Sequence, residues 1–84
     1  MYYVYVPFSS KDNHLYTGFS SNLKLRIAEH LAGKVSSTKS RLPIELVYYE
    51  AYKDKRDATK REYFLKRGRG REVLKELLKF SIPK

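Results

Sequence analysis

Two short runs lie near the start of the chain, at residues 2–6 and 15–19. Both have the composition of β-strands, with tyrosine and valine in the first run and tyrosine, threonine and phenylalanine in the second. Residues 9–13 between them have turn-forming composition. The pattern therefore predicts an antiparallel hairpin. Because side chains alternate between the two faces of a strand, Tyr5 and Tyr16 can approach each other across this hairpin if they share a face.

A helix is predicted next, with Ser21 or Asn22 as its N-cap and Gly33 just past its end. The positions expected to face inward are Leu23, Arg26, Ile27, His30 and Leu31. Two of these positions are polar. Burying a guanidinium and an imidazole without partners would cost on the order of several kcal/mol, so we expect Arg26 and His30 to border a wet pocket or a ligand.

The second half of the chain predicts one more strand and two more helices. Residues 45–52 are predicted to form a strand, and the run at residues 46–49 favours a central position covered on both faces. Asp54 should cap a helix that runs to Arg67, with Asp57 in its first turn. Gly68 and Gly70 should then break the helix.

Apolar spacing identifies the buried faces of these two helices. On the first of them one stripe consists of Ala58, Glu62 and Leu65, so a carboxylate shares a face with apolar side chains. The final helix should pack on the sheet through Val73, Leu74, Leu77 and Leu78. The predicted fold class is therefore α+β, with a small three-stranded, mainly antiparallel sheet in the order β-β-α-β-α-α.

The charge distribution indicates the kind of partner that the chain binds. The 84 residues carry a formal net charge of +9, and residues 53–84 hold twelve basic and five acidic side chains against six and four in residues 1–52. A positive field of this kind favours a polyanion such as DNA, although a solvated basic face is the simpler alternative. The chain has no cysteine, which excludes thiolate chemistry and fits a reducing cytoplasm. Residues 1–8 are too short to cross a membrane, so no membrane partner is expected.

The hydroxyl-rich basic loop at residues 34–43 is a candidate for phosphate binding, since hydroxyls, backbone N–H groups and cations all bind phosphates. An ordinary polar connection is an equally good interpretation. The candidate DNA contacts are Lys34, Ser37, Thr38, Lys39 and Arg41, together with Lys66 on the following helix.

Five polar residues lie where the local pattern expects core-facing side chains: Tyr5, Tyr16, Arg26, His30 and Glu62. Their order and spacing resemble the GIY-YIG nuclease family, in which two tyrosine-bearing strands, a helical Arg-x-x-x-His and a later glutamate form a metal-dependent DNA-cleaving site. The first motif here is Tyr3-Val4-Tyr5 and the second is Tyr16-Thr17-Gly18. The resemblance covers residues 2–78. It is strongest to short stand-alone bacterial members, which are related to the nuclease domain of the excision-repair subunit UvrC and to Slx-type endonucleases.

The resemblance implies a single nuclease domain over residues 1–84 that hydrolyses structured DNA in repair or recombination, with a partner protein supplying specificity. Tyr5 would orient or deprotonate the attacking water, and Tyr16 would position that water or a phosphate oxygen. His30 would bind the phenol and assist its proton transfer. Arg26 would bind phosphate oxygens, and Glu62 would hold one Mg²⁺ or Mn²⁺, weakly without DNA.

The chain departs from the family pattern in two places. Tyrosine and valine replace the usual glycine and isoleucine of the first motif, and the asparagine that many members carry after the metal-binding glutamate is missing, because Asn13 and Asn22 both precede Glu62. Two other functions therefore stay open: a nucleic-acid-binding module with weak or vestigial catalysis, and a basic protein-interaction domain that uses the final helix. Two histidines without a cysteine argue against a zinc cluster.

Overall fold

The computed structural model describes residues 1–82. Its strands are β1 (Tyr2–Ser9), β2 (His14–Leu15), β3 (Gly18–Ser20) and β4 (Ile44–Tyr52), and its helices are α1 (Leu23–Leu31), α2 (Lys55–Leu65) and α3 (Gly68–Leu77). All strand pairs are antiparallel, which confirms the predicted α+β class and sheet type. Within the described residues, no helix combines the length and the apolar character that crossing a bilayer requires.

The second strand of the predicted hairpin is divided into β2 and β3, so the sheet has four strands rather than three. β4 pairs along one edge of β1, and β2 and β3 share the other edge. The interruption lies opposite Pro7, which has no N–H to donate, although its carbonyl accepts the Tyr16 N–H at 2.9 Å. The β1–β4 register also shifts between Val6 and Pro7. The proline therefore explains the break in the sheet.

The prediction that the third strand would be central is wrong. The central strand is β1, and β4 pairs with β1 alone among the strands of residues 1–82. The apolar run that suggested a central strand contains tyrosines, which keep a polar end at the surface; Tyr49 is 52% exposed.

The core lies on the β1 face that carries Val4, Val6 and Phe8. This face packs against α2 and α3 through Ala58, Leu65, Leu74 and Leu78. Leu31 and Leu77, which were expected to face inward, are instead 55% and 50% exposed, because the sheet is too small to cover the full apolar stripe of each helix. The opposite face of β1 carries Tyr5, which contacts α1.

The helix ends follow the predicted signals with two differences. Asn22 caps α1 by accepting the Leu25 N–H, and Asp54 caps α2. The second helix ends at Leu65 rather than Arg67. Gly70 does not break a helix but lies in the first turn of α3, where an added Cβ would come within 1.7 Å of the Phe64 carbonyl oxygen. Gly70 therefore permits a close approach between α2 and α3.

A half-buried carboxylate ties β4 to α2. Glu50 accepts two hydrogen bonds from the Arg61 guanidinium at 2.9 and 3.1 Å, and the hydroxyls of Tyr48 and Tyr52 each donate to it at 2.5 Å. Burial raises the pKa of Glu50, but the arginine and the two tyrosines outweigh burial and hold the pKa below its usual value. Arg61 directly precedes Glu62, so this network anchors the part of α2 that carries Glu62 to the sheet.

We expect Glu50→Gln to lower the free energy of unfolding by about 2 kcal/mol, since it leaves the Arg61 guanidinium without its charged acceptor. The control is Asp54→Asn, which removes a charge from an exposed ion pair but keeps a good helix cap, and should change stability by less than about 1 kcal/mol. Urea unfolding followed by circular dichroism measures both. Because the pKa of Glu50 is lowered, the effect of Glu50→Gln should shrink as the pH falls below 4.5, the usual value. Equal effects of the two variants would contradict this account.

Candidate active site

A cleft of about 420 Å³ opens beside the Tyr5 face of the sheet. The five residues singled out from the sequence all line it: Tyr5, Tyr16, Arg26, His30 and Glu62. They come from β1, the β2–β3 connection, α1 and α2. The fold therefore brings the whole set to one concave surface.

The Tyr5 hydroxyl lies at the centre of a buried hydrogen-bond chain. Its oxygen is 2.8 Å from His30 Nε2, and His30 Nδ1 is 2.6 Å from Thr38 Oγ1. Arg26 Nε donates to the same phenol oxygen at 3.2 Å. With that donor in place, the phenol proton can point to His30 Nε2, which leaves the imidazole proton on Nδ1, donating to Thr38. This assignment gives both imidazole nitrogens and the phenol hydroxyl a hydrogen-bond partner.

Burial sets the protonation states of this pair. Burial raises the pKa of Tyr5, and the nearby Arg26 offsets this only in part. Burial and the positive charge of Arg26 both lower the pKa of His30. At neutral pH the pair therefore consists of a protonated phenol and a neutral imidazole that can accept the phenol proton.

The Tyr16 hydroxyl has a different partner. It donates to Asp12 Oδ2 at 2.5 Å, and Asp12 also lies 3.4 Å from Arg41 Nε. Burial and the Asp12 carboxylate raise the pKa of Tyr16. The two tyrosines share the cleft, but Tyr16 stays a protonated donor whose direction Asp12 fixes.

Glu62 faces the cleft and forms an ion pair within α2. Its Oε2 is 2.9 Å from Lys66 Nζ, and its side chain is 21% exposed. Lys66, a predicted DNA contact, therefore neutralises the Glu62 carboxylate on the cleft wall.

The residues present fit a weakly held hard cation. Within residues 1–82, no group of three or more histidine, cysteine, aspartate or glutamate side chains is arranged to hold a metal ion. One carboxylate, Glu62, faces the cleft. Mg²⁺ commonly takes one or two carboxylates and completes its shell with water and substrate phosphate, so a single glutamate beside a phosphate suits it.

The residues of the basic loop at 34–43 differ in their exposure and in their distance from the cleft. Ser37 lines the cleft, Lys34 and Lys39 are exposed, and the Arg41 side chain is 48% exposed beside Asp12. Thr38 is fully buried, with its hydroxyl against His30. The prediction that Thr38 binds phosphate is wrong, because a phosphate cannot reach this hydroxyl.

Two residues that line the cleft, and one that orients a cleft tyrosine, were not identified from the sequence. Asp12 orients Tyr16, and His14 and Arg71 line the cleft. Asp12 lies in the turn-forming segment that precedes Tyr16, and aspartate is common in turns, so its sequence position did not indicate a role in the site. Arg71 was hidden in the general excess of basic residues near the C-terminus.

Gly18 is required by the position of the Tyr5 ring. Gly18 pairs with Tyr5 across the β1–β3 ladder, and an added Cβ would lie 2.4 Å from both Cζ and Oη of Tyr5. The glycine of the Tyr-x-Gly motif therefore makes room for the phenol, which explains that part of the motif physically.

Comparison with known proteins agrees with the resemblance. The model of the GIY-YIG catalytic domain matches residues 1–75. A UPF0213 protein of Staphylococcus haemolyticus is 48% identical over 77% of this chain and 79% of its own length, and one of Natronomonas pharaonis is 44% identical over 77% and 76%. The solution NMR structure of a UPF0213 protein from Bacillus halodurans superimposes with a TM-score of 0.57 at 34% identity, covering 92% of this chain and 85% of that one.

We expect Gly18→Ala to displace the Tyr5 ring, with a loss of about 1–3 kcal/mol in unfolding free energy from overpacking. The control is Gly68→Ala, at a residue with a φ of +41° and nothing within 4 Å of an added Cβ, so it strains the backbone without touching the cleft. The readout is the NMR shift of the Tyr5 ring and of His30. Gly18→Ala should move both signals, and Gly68→Ala should move neither. Unchanged Tyr5 and His30 signals in Gly18→Ala would refute this role for the glycine.

Proposed function

The chain belongs to the GIY-YIG catalytic-domain family, a nuclease family, and on that premise we propose that it is a metal-dependent DNA endonuclease. The reaction would be hydrolysis of a phosphodiester bond in the cleft lined by Tyr5, Arg26, His30 and Glu62. The observation that carries the proposal is the environment of the Tyr5 hydroxyl. It lies within hydrogen-bond distance of a neutral base and a permanent cation, His30 Nε2 at 2.8 Å and Arg26 Nε at 3.2 Å.

This environment supports general-base chemistry. Burial opposes the transfer of a proton from Tyr5 to His30 in the free protein, so we propose that this transfer accompanies substrate binding. The Tyr5 proton then passes to His30 Nε2, and Arg26 stabilises the phenolate that remains. The phenolate takes a proton from the attacking water. At the same time the water oxygen bonds to phosphorus, and the bond from phosphorus to the 3′-oxygen breaks. The proton on His30 can then return through solvent to the leaving oxygen, so the side chains end as they began.

The remaining residues bind and position the phosphate. Tyr16 donates its one proton to Asp12, so its oxygen can accept a hydrogen bond from the attacking water and position it. Arg26 lines the cleft and can bind phosphate oxygens through its guanidinium N–H groups. Glu62 would hold the divalent cation, which when bound supplies charge for the phosphate and leaving oxygens. Lys66 Nζ, 2.9 Å from Glu62 Oε2, would then lie near the same phosphate.

DNA would reach the cleft across the basic loop. Lys34, Lys39 and Arg41 present cations there, and Ser37 offers a hydroxyl inside the cleft. These residues contact the backbone and carry no sequence information by themselves. We therefore assign the protein to structured DNA in repair or recombination, with specificity supplied by a partner protein.

One observation favours the second candidate, a nucleic-acid-binding module with weak catalysis. Glu62 is neutralised by Lys66, and it is the single carboxylate that the described residues bring to the cleft. A module that only binds DNA, however, has no use for a buried phenol–imidazole pair. We therefore place catalysis first.

Cleavage assays on linear, nicked, flapped and branched DNA with Mg²⁺ or Mn²⁺ test the proposal. We expect Tyr5→Phe to reduce the cleavage rate by about 10²–10⁴, the usual contribution of a general base. Glu62→Gln should abolish cleavage while DNA affinity stays level or rises, because Lys66 loses its ion-pair partner. Chelation of the metal should also abolish cleavage.

Matched controls are Tyr49→Phe, at an exposed tyrosine opposite Tyr5 in the β1–β4 ladder, and Glu45→Gln, at an exposed carboxylate of the same sheet. Both should cleave at the wild-type rate. If Glu62→Gln still cleaves in a preparation shown to lack contaminating nuclease, the activity arises elsewhere and the binding module is the better description.

A further inference from the structure

A second groove adjoins the cleft. It has a volume of about 410 Å³ and runs between the β1–β2 hairpin and α3. His14, Leu15 and Arg71 line both the cleft and this groove, so the two are continuous. Lys75, Lys79 and Ile82 line the far part.

The basic residues of the groove lie on α3 and in the turn after it. Arg71 and Lys75 are four residues apart on α3, which places them on one face about 6 Å apart along the axis. Lys79 lies in the turn that follows the helix and lines the same groove. The acidic residues Glu72 and Glu76 line a different depression of α3. The groove is therefore lined by basic side chains without a carboxylate, whereas both glutamates of α3 line the depression that Arg69 also borders.

These cations are available to a ligand. Within residues 1–82, neither Arg71 nor Lys75 takes part in an ion pair. Lys79 pairs with Glu76 at 3.1 Å, but both side chains are mostly exposed, so the pair contributes little and a phosphate can replace it. The hairpin wall offers polar groups as well, from Asn13 and His14.

We infer that this groove carries the DNA backbone away from the cleft, with Arg71, Lys75 and Lys79 binding successive parts of it. The inference rests on the proposed function, since it assigns the path of the same substrate. The groove is continuous with the cleft, and Arg71 lines both of them. A ligand of the groove is therefore more simply the DNA substrate of the cleft than an acidic protein. The groove would extend the contact well past the scissile phosphate and hold the substrate in register.

The test compares DNA binding by two double variants. Lys75→Ala with Lys79→Ala removes two cations of the groove, and Lys53→Ala with Lys60→Ala removes the same charge from exposed residues outside both the cleft and the groove. The molecule measures 33 Å in its longest dimension, so a duplex of about 20 base pairs, at about 3.4 Å each, extends beyond it. Fluorescence anisotropy with chelator present measures affinity at several salt concentrations without cleavage.

The groove variant should weaken binding. Its plot of log affinity against log salt should be less steep, with the negative slope reduced in magnitude by about 1.8, or about 0.9 for each lost phosphate contact. The control variant should change the slope by less than half of that. Arg26→Ala serves as a separate probe of the cleft. If it weakens binding while the groove variant matches the control, the path along α3 is wrong and the proposed function stands. If the groove variant weakens binding and Arg26→Ala does not, DNA does not pass from groove to cleft, which overturns the inference, and the separate cleavage assay decides the proposed function.

Discussion

A hydroxyl buried in a protein interior needs hydrogen-bond partners, and the phenol of Tyr5, on a residue only 2% exposed, is the constraint on which the rest of this structure depends. Its ring needs the space that Gly18 leaves on the neighbouring strand. Its oxygen needs α1 to lie where His30 and Arg26 can both reach it. The imidazole, buried in turn, needs the Thr38 hydroxyl from the following loop. One satisfied phenol thus ties two strands, a helix and a loop together at the cleft.

The same cleft holds two tyrosines that the surrounding charges make different. Tyr5 receives a hydrogen bond from a guanidinium, which favours its anion, whereas Tyr16 donates to a carboxylate, which opposes its anion. The different roles proposed for the two tyrosines rest on these partners rather than on the residue type. The Glu50–Arg61 network ties β4 to α2 at the residue before Glu62, which is the residue proposed to hold the metal ion.

Local patterns predicted the helices and the polar set in the cleft, because caps and the four-residue spacing of Arg26 and His30 depend on neighbouring residues alone. The partners of that set depend on the path of the loops. No local pattern indicates that Thr38 is buried against an imidazole, or that Asp12 reaches Tyr16. The predicted position of the last strand was wrong for a related reason. Pairing of β1 with β4 is a contact between distant parts of the chain, and the apolar run of β4 matches an edge strand rich in tyrosine as well as a central strand.

The central claim is that the Tyr5 phenol, poised between His30 and Arg26, is the group that deprotonates the attacking water. Site-specific replacement of Tyr5 by difluorotyrosine tests it most directly, since fluorine makes the phenol more acidic and hardly changes its size. With saturating Mg²⁺, the rise of the cleavage rate with pH should move to lower pH, and the same replacement at the exposed Tyr49 should leave the profile in place. An identical pH profile for the Tyr5 replacement and the wild-type protein would contradict the claim.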